Sequence, residues 1–557
     1  MGEAVRVSRE YDFIIIGAGS AGCVLASRLS ENPSARILVL EAGPMDRSLY
    51  MLRMPAALAV PLESDRYNWF YHSEPEPHLD GRRVYYPRGR VVGGSSSING
   101  MVYLRGNPLD YDRWAERNSL GGWSYAHCLP YFKKMETSAL GPSAYRGADG
   151  PLRVTIPDCK NPLFQAFLQA GQQAGYAYTE DVNGYRQEGF YRMERSTFGG
   201  VRSSAARRYL HPARKRGNID LKIKVRVARI LFDGRRASGV AFVENGQKRE
   251  VRGGEIILSA GAINSPQLLK LSGVGPRPEL QALDIPVVAD LPGVGENLQD
   301  HLDFLVQYRC TKPVSFYPAT KRLNQVGIGL EWLLFKRGIG VSNIWEAGSF
   351  FRSRPGIEFP NLQHHFAPVA ISYDGAEKID GHGFQIHLSQ MRPRSRGHVR
   401  LASRDPFAPP RLLFNHLADA EDRAEVRDGI RLTREVVAQA AFDEFRGAEI
   451  APGAAVDSDA ELDAFARRKA ETSHHPSCTC RMGSDDMAVV DDEGRVHGLE
   501  GLRVVDASIM PTVVSSNINA PTLMMAEKIA DRVRGRPPMP PEPVAYYRAE
   551  NFRTAQR

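Results

Sequence analysis

Two clusters in this sequence have the residue types and spacing to do chemistry. Near the front, Gly17-Ala-Gly19-Ser20-Ala-Gly22 sets three glycines at the interval G-x-G-x-x-G. Such a turn suits a pyrophosphate. The first glycine allows the tight turn, the second lets backbone N–H groups approach the anion, and the third lets a helix pack closely on a strand. Near the other end, His474-His475-Pro476-Ser-Cys478-Thr-Cys480 offers imidazoles and thiols. A neutral imidazole is the natural base near pH 7, while His and Cys together are zinc's usual ligands. The spacing argues against zinc, because CxC beside adjacent histidines is not a structural-zinc pattern and no second ligand pair occurs elsewhere. A histidine before a proline is by itself an ordinary loop residue, so spacing alone gives His475 no role.

The elements around the glycines strengthen the first reading. Tyr11 to Ile16 is a short apolar, β-branched run, expected as a buried parallel strand. A helical pattern follows (Val24, Leu25, Leu29), then a second apolar strand, Ile37 to Leu40, ending at Glu41. Glu41 lies 19 residues past Gly22, placed to accept from ribose hydroxyls. Strand, glycines, helix, strand and acid in that order predict a dinucleotide, with the pyrophosphate at the helix N-terminus. The motif does not separate FAD from NAD. Further on, Leu221, Ile223, Val225 and Val227 alternate with charged residues, and Asp233-Gly234 and Asn245-Gly246 mark hairpin turns. A parallel sheet carrying such a meander tilts the cofactor towards FAD by fold-level analogy. Residues 303–470 mix strand-like pieces with helical ones such as Val426 to Val437. They are expected to form a second domain over the cofactor. A strand at Leu502 to Val505 and a helix over Thr522 to Val533 follow. The stretch beyond the prolines of 537–543 is expected to be extended and poorly ordered.

Composition sets the outer limits. The chain has 557 residues, more than one hydrophobic core usually serves. Its 72 basic and 64 acidic residues give a net charge of +8, with no basic block interleaved with aromatics, so nucleic acid is not expected as a partner. Weak attraction to an anionic membrane surface stays open. Six cysteines make no disulfide framework and fit a reducing compartment. No apolar signal core and no membrane-length apolar run are evident. The expected location is the cytoplasm, with peripheral attachment to the inner face of the cytoplasmic membrane left open.

Three further segments resemble the glucose-methanol-choline (GMC) oxidoreductase family. They are Gly89-Arg-Val-Val-Gly93-Gly-Ser-Ser96-Ser-Ile98-Asn99, then Gly261-Ala-Ile-Asn-Ser-Pro-Gln-Leu-Leu-Lys-Leu-Ser-Gly-Val-Gly275, and the end of the chain from His475-Pro476 through Asp506-Ala-Ser508 to Asn517-Ile-Asn519-Ala-Pro-Thr522. The resemblance covers about residues 10 to 535. Within the family, Glu74-Pro-Glu-Pro77, Pro313-Val-Ser-Phe-Tyr317 and Ser395-Arg-Gly-His-Val399 resemble the choline-oxidising branch. A membrane-associated alkanol-oxidising group shares many of these motifs.

The resemblance implies an α/β fold: a Rossmann-type FAD-binding domain of the p-hydroxybenzoate-hydroxylase-like kind and a second, α+β substrate-binding domain. The discontinuous FAD domain would comprise 1–153, 200–302 and 472–540, the substrate domain 154–199 and 303–471, with 541–557 a tail. It implies FAD held by Gly17, Gly19, Ser20, Gly22 and Glu41, by Gly93, Ser96, Asn99 and Val227, and by Asp506, Asn519 and Thr522. Some members tether FAD through a histidine at the position of Ile98, so here the cofactor should be non-covalent. It implies His475 as the catalytic base and Asn517 as its partner at the alcohol oxygen. Asp303, Trp345, Glu346 and His365 fall on segments that line the substrate pocket, where carboxylates and aromatic faces can hold a quaternary ammonium. The family has Gly where Cys478 stands, which leaves the local backbone and thiol sensitivity open. The function implied is oxidation of choline to betaine aldehyde, and on to glycine betaine. An alcohol dehydrogenase for aliphatic or aromatic alcohols and a non-catalytic flavin module are the competing readings. Oxygen, a quinone or a carrier protein are all open as electron acceptor.

Overall fold

The computed structural model describes residues 5–6, 11–371 and 379–557. Two sheets carry the fold. The first has eight strands. Its parallel part runs Ile219–Ile223, Ile37–Glu41, Tyr11–Ile16 and the second half of Gln247–Leu258, with Leu502–Val504 beyond. Ile14, Ile15, Leu38 and Val39 are wholly buried. Strands enclosed on both faces read as unbroken apolar runs, which is how these stand in the sequence. The helix Ser20–Leu29 packs on Tyr11–Ile16, on Ile37–Glu41 and on the last helix, Asn519–Val533, so the first and last elements of this domain meet there.

The first half of Gln247–Leu258 turns to other work. It pairs antiparallel with Arg236–Glu244, which pairs with Val225–Asp233, giving the expected meander. Asn245 and Gly246 both have positive φ (52° and 78°), as a type I′ hairpin turn requires. The alternating run from Leu221 to Val227 is two strands rather than one. Lys224, with φ 57° and its N–H on the Gly43 carbonyl at 3.0 Å, swings the chain from the parallel sheet into the meander. The alternation of apolar residues continues through the break, so the pattern alone could not show it.

The second sheet has seven strands, all antiparallel, in the order Arg446–Ala451, Leu302–Cys310, Gly383–Gln390, Leu362–Ala367, Ala347–Phe351 and Gly189–Arg192, with Glu471–Thr472 also on Leu302–Cys310. Its Phe384, Ile386 and Leu388 join Val306 and Phe366 in a core beneath the helix Ala420–Val437. The intervening residues of those strands point the other way. Gln385, His387 and Ser389 therefore face the first sheet across a cavity, with His365 beside them.

Residues 541–557 are docked, unlike the expectation from sequence. The Glu542 N–H bonds the Ala126 carbonyl at 2.9 Å, the Tyr547 N–H the Tyr185 carbonyl at 2.8 Å, and Arg352 reaches the Ala555 carbonyl at 3.0 Å. Arg186 lies 4.0 Å from the centre of the Tyr547 ring. The proline-rich stretch makes no strand or helix of its own, so its attachment rests on partners far away in sequence. A chain ending at residue 540 should keep its fold and melt lower, by about 2–4 °C for each ~1 kcal/mol of stability removed, measured by thermal denaturation of wild type and truncation.

Candidate functional site

The glycine turn is shaped by backbone crowding. A Cβ on Gly17, whose φ is +100°, would stand 2.5 Å from the Ser259 carbonyl oxygen, and one on Gly22 would stand 1.9 Å from that of Gly17. Neither position admits a side chain. Gly19 differs: its nearest neighbour would be 3.7 Å away, because it faces the cavity. Gly94 of the second glycine motif lies against it, with an added Cβ only 2.7 Å from the Gly19 Cα. The helix Ser20–Leu29 begins at Gly19 with no side-chain cap, which leaves its first N–H groups for an anion. Ser20 donates to the Asn519 side chain at 2.8 Å, joining the start of the chain to its last motif.

Glu41 ends its strand on the cavity wall, accepting from the Ala18 N–H at 2.9 Å and the Gly43 N–H at 2.7 Å. Burial pushes its carboxyl up to about 7 against those bonds. A sugar hydroxyl donating to it would relieve that cost. Val227 and Thr522 also line this end. Asp506 lines it with both oxygens already engaged: one accepts from the Gly261 N–H (2.8 Å) and the Ser265 hydroxyl (2.6 Å), the other from the Ser508 N–H (2.8 Å). It fixes the start of the helix Gly261–Leu271. Asn99 is on the wall, with its oxygen accepting from Arg202 at 2.7 Å.

Three expected cofactor residues are off the wall. Gly22 sits behind the turn, against Gly17. Gly93 gives its loop a φ of +95°, and Ser96 turns inward to the Gly93 carbonyl at 2.6 Å and the Ala205 N–H at 3.0 Å. Gly94 and Ser95 line the cavity instead. The short helical turn Gly94–Ser97 sends neighbouring side chains in different directions, which the motif does not reveal. Ile98 is on the wall and offers no atom that could bond a flavin.

At the far end His475 is fixed on three sides. Its N–H donates to Asp300 at 2.7 Å, its Nδ1 stands 3.0 Å from Nδ1 of His301, and its Nε2 stands 3.1 Å from Nδ2 of Asn517. Oδ1 of Asn517 lies 3.4 Å from Nε2 of His365, so the amide bridges two imidazoles. Burial holds the imidazolium form of His475 well below its ordinary range, and His301, His474, His365 and Arg88 add like charge. The ring is neutral at pH 7. With Asn517 donating to Nε2, the ring proton is on Nδ1, directed at His301. Nε2 therefore carries the lone pair on the cavity side. This arrangement can accept a proton from a hydroxyl and hold the resulting oxygen anion against the Asn517 amide.

Asp303 sits on the same wall among rings. Trp345 stands edge-on to His365 and His387, at 6.3 and 5.5 Å between centres. A chain of hydrogen bonds leads to Asp303. The Ile371 N–H donates to the Gln385 oxygen (2.9 Å), so the Gln385 nitrogen donates to Nε2 of His387 (2.9 Å). The His387 proton is then on Nδ1, pointing at the Asp303 carboxylate 2.7 Å away, while Ser389 donates to its other oxygen at 3.0 Å. Among the described residues the ion-pair partner of Asp303 is this histidine alone. Sequence reading missed Gln385, His387 and Ser389. Their signal is a strict polar alternation in Gly383–Gln390, a strand buried along its whole length. A polar face with no solvent to meet must serve a cavity.

Glu346 does not reach this wall. It accepts from the Ser342 hydroxyl at 2.6 Å and from Arg195 at 3.3 Å, on the side opposite its neighbour Trp345. The two thiols turn inward as well. Cys478 adopts φ 74°, a conformation that favours glycine, and burial raises its thiol to about 12. Thiol sensitivity is not expected there.

Family models described as GMC oxidoreductase match residues 11–303 and 393–526. The chain belongs to the GMC oxidoreductase family. It is 56% identical to an oxygen-dependent choline dehydrogenase of Burkholderia multivorans, over 97% of this chain and 96% of that protein. It is 55% identical to one of Pseudomonas fluorescens with the same coverage. Pyridoxine 4-oxidase from Mesorbium loti superposes with a TM-score of 0.87 at 31% identity, covering 95% of this chain and 100% of that one. The protein is an FAD-dependent oxidoreductase acting on alcohols. Bound FAD supplies the hydride acceptor for that chemistry. The glycine turn, the uncapped helix start and Glu41 fit its pyrophosphate and ribose.

Two measurements probe this end of the site. Acid precipitation should leave all the flavin in the supernatant; colour in the pellet would mean a covalent link. Gly22→Val should strip the protein of FAD, since the new side chain collides with the Gly17 carbonyl, and a normal flavin-to-protein absorbance ratio would refute that reading.

Proposed function

We propose that the enzyme oxidises choline to betaine aldehyde, and the hydrated aldehyde to glycine betaine, with His475 taking the hydroxyl proton. One observation carries the substrate. Asp303 is a buried acid on the cavity wall, held by Nδ1 of His387 and the Ser389 hydroxyl, and the rings beside it can face a trimethylammonium group. A quaternary ammonium in the cavity would meet this acid and the aromatic faces around it. The likeness to choline dehydrogenases along nearly the whole chain supports the same reading.

In this reading Nε2 of His475 receives the alcohol proton and the Asn517 amide holds the developing alkoxide. His301, beside Nδ1, favours the tautomer in which Nε2 is unprotonated. His475→Ala should retain its flavin and lose roughly 10²–10⁴-fold in the rate of flavin reduction at saturating alcohol. Asn517→Ala should lose less, because the imidazole still takes the proton. Stopped-flow absorbance reads both, and a wild-type rate in His475→Ala would remove this residue from the mechanism.

Substrate charge is tested with choline and its neutral isostere 3,3-dimethylbutanol, assayed with oxygen and with a quinone analogue. A cation–carboxylate contact here is worth about 1–4 kcal/mol at ~4 Å, so Asp303→Asn should raise KM for choline by roughly 5- to 1000-fold. KM for the isostere should barely change. Equal use of both alcohols by the wild type, with Asp303→Asn altering neither, would point to a general alcohol dehydrogenase. The same assay ranks the two acceptors.

A further inference from the structure

The helix Arg322–Phe335 is apolar on two sides. Its inner side carries Trp332, packed on Met54 and Ala57 with its indole N–H on the Gly200 carbonyl at 2.8 Å. Its outer side carries Leu323, Val326, Leu330, Leu333 and Leu334, and Leu323 is 88% and Leu334 68% exposed. These positions fall on one helical face. The single acid in the helix, Glu331, is bonded to Arg337 at 3.1 Å. Contiguous exposed leucines on a charged protein mark a contact surface.

The surroundings are basic. Lys321 and Arg322 begin the helix and Lys336 and Arg337 follow it. The hairpin Thr197–Phe198 to Val201–Arg202, tied to Trp332 through Gly200, exposes the Phe198 ring beside it. Arg153 and Arg208 lie 5.6 and 5.1 Å from the centre of that ring. Arg208 bonds the Ser203 hydroxyl at 3.1 Å and Arg207 the Arg202 carbonyl at 3.4 Å, so both bond neutral oxygens. Lys321 is paired with Asp380 at 3.2 Å. Apolar side chains ringed by cations suit the boundary between acyl chains and anionic headgroups. No described helix is long and apolar enough to cross a membrane, so such a contact would lie in the membrane plane.

We propose that this face, the outer side of Arg322–Phe335 with the Phe198 hairpin, docks on an anionic lipid bilayer. A second copy of the chain is a poor occupant, because a symmetric pair would bring the basic patch of Arg153, Arg207, Arg208 and Arg322 from both copies into one interface. The contact does not depend on which alcohol is oxidised. It has a geometric consequence: Ala57 packs under Trp332, while the adjoining Leu58, Ala59 and Leu62 line the cavity. Docking therefore brings lipid to the outer side of the active-site wall, where a lipid-soluble electron acceptor would arrive.

The test uses the full-length, FAD-loaded protein sedimented with vesicles of phosphatidylcholine alone or with one part in three phosphatidylglycerol. The protein should pellet with the anionic vesicles and be released as salt rises. The triple variant Leu323→Gln, Leu330→Gln, Leu334→Gln should lose at least about tenfold in partitioning. Arg322→Gln should lose about fivefold. Both should keep wild-type flavin content and wild-type alcohol oxidation with a soluble dye acceptor. Failure of the wild type to bind anionic vesicles, or wild-type binding by the triple variant, would overturn the proposal. A dimer in light scattering that the triple variant abolishes, with no vesicle binding, would assign the face to a second copy instead.

Discussion

The contact on which the site depends is between two glycines. Gly19, at the start of the first helix, and Gly94, in the second glycine-rich loop, approach so closely that a single Cβ on Gly94 would stand 2.7 Å from the Gly19 backbone. This meeting, with the Ser20–Asn519 bond beside it, brings three stretches of chain to one point. The anion-binding helix end, the loop above it and the last helix are thereby fixed relative to each other. Polar anchors such as Asp506 then tie the strand ends to the helix that follows.

The second sheet supplies what the first cannot. A Rossmann-type unit binds a dinucleotide but has no means of choosing an alcohol. The strand Gly383–Gln390 provides that by alternation, sending Phe384, Ile386 and Leu388 to the core and Gln385, His387 and Ser389 to the cavity. Directional bonds run along the polar face from the Ile371 N–H to Asp303 and fix its orientation. The same burial keeps His475 neutral. An acid and an uncharged base thus share one cavity, each oriented by its own hydrogen bonds.

The sequence by itself determined the dinucleotide site and the meander, and through its family motifs the pairing of His475 with Asn517. Glycine spacing, period-two alternation and turn residues are local, and the three family motifs placed the remainder. Tertiary structure decided the rest. Whether Ser95 or Ser96 faces the cavity depends on a single helical turn, and Glu346 turns away because Arg195 lies on its other side. Lys224 breaks a strand that looks continuous, since a backbone dihedral leaves no mark in an apolar pattern. His301 and His387 acquire their places only when strands far apart in sequence pair. Those contacts are set by packing between sheets, which no window of sequence contains.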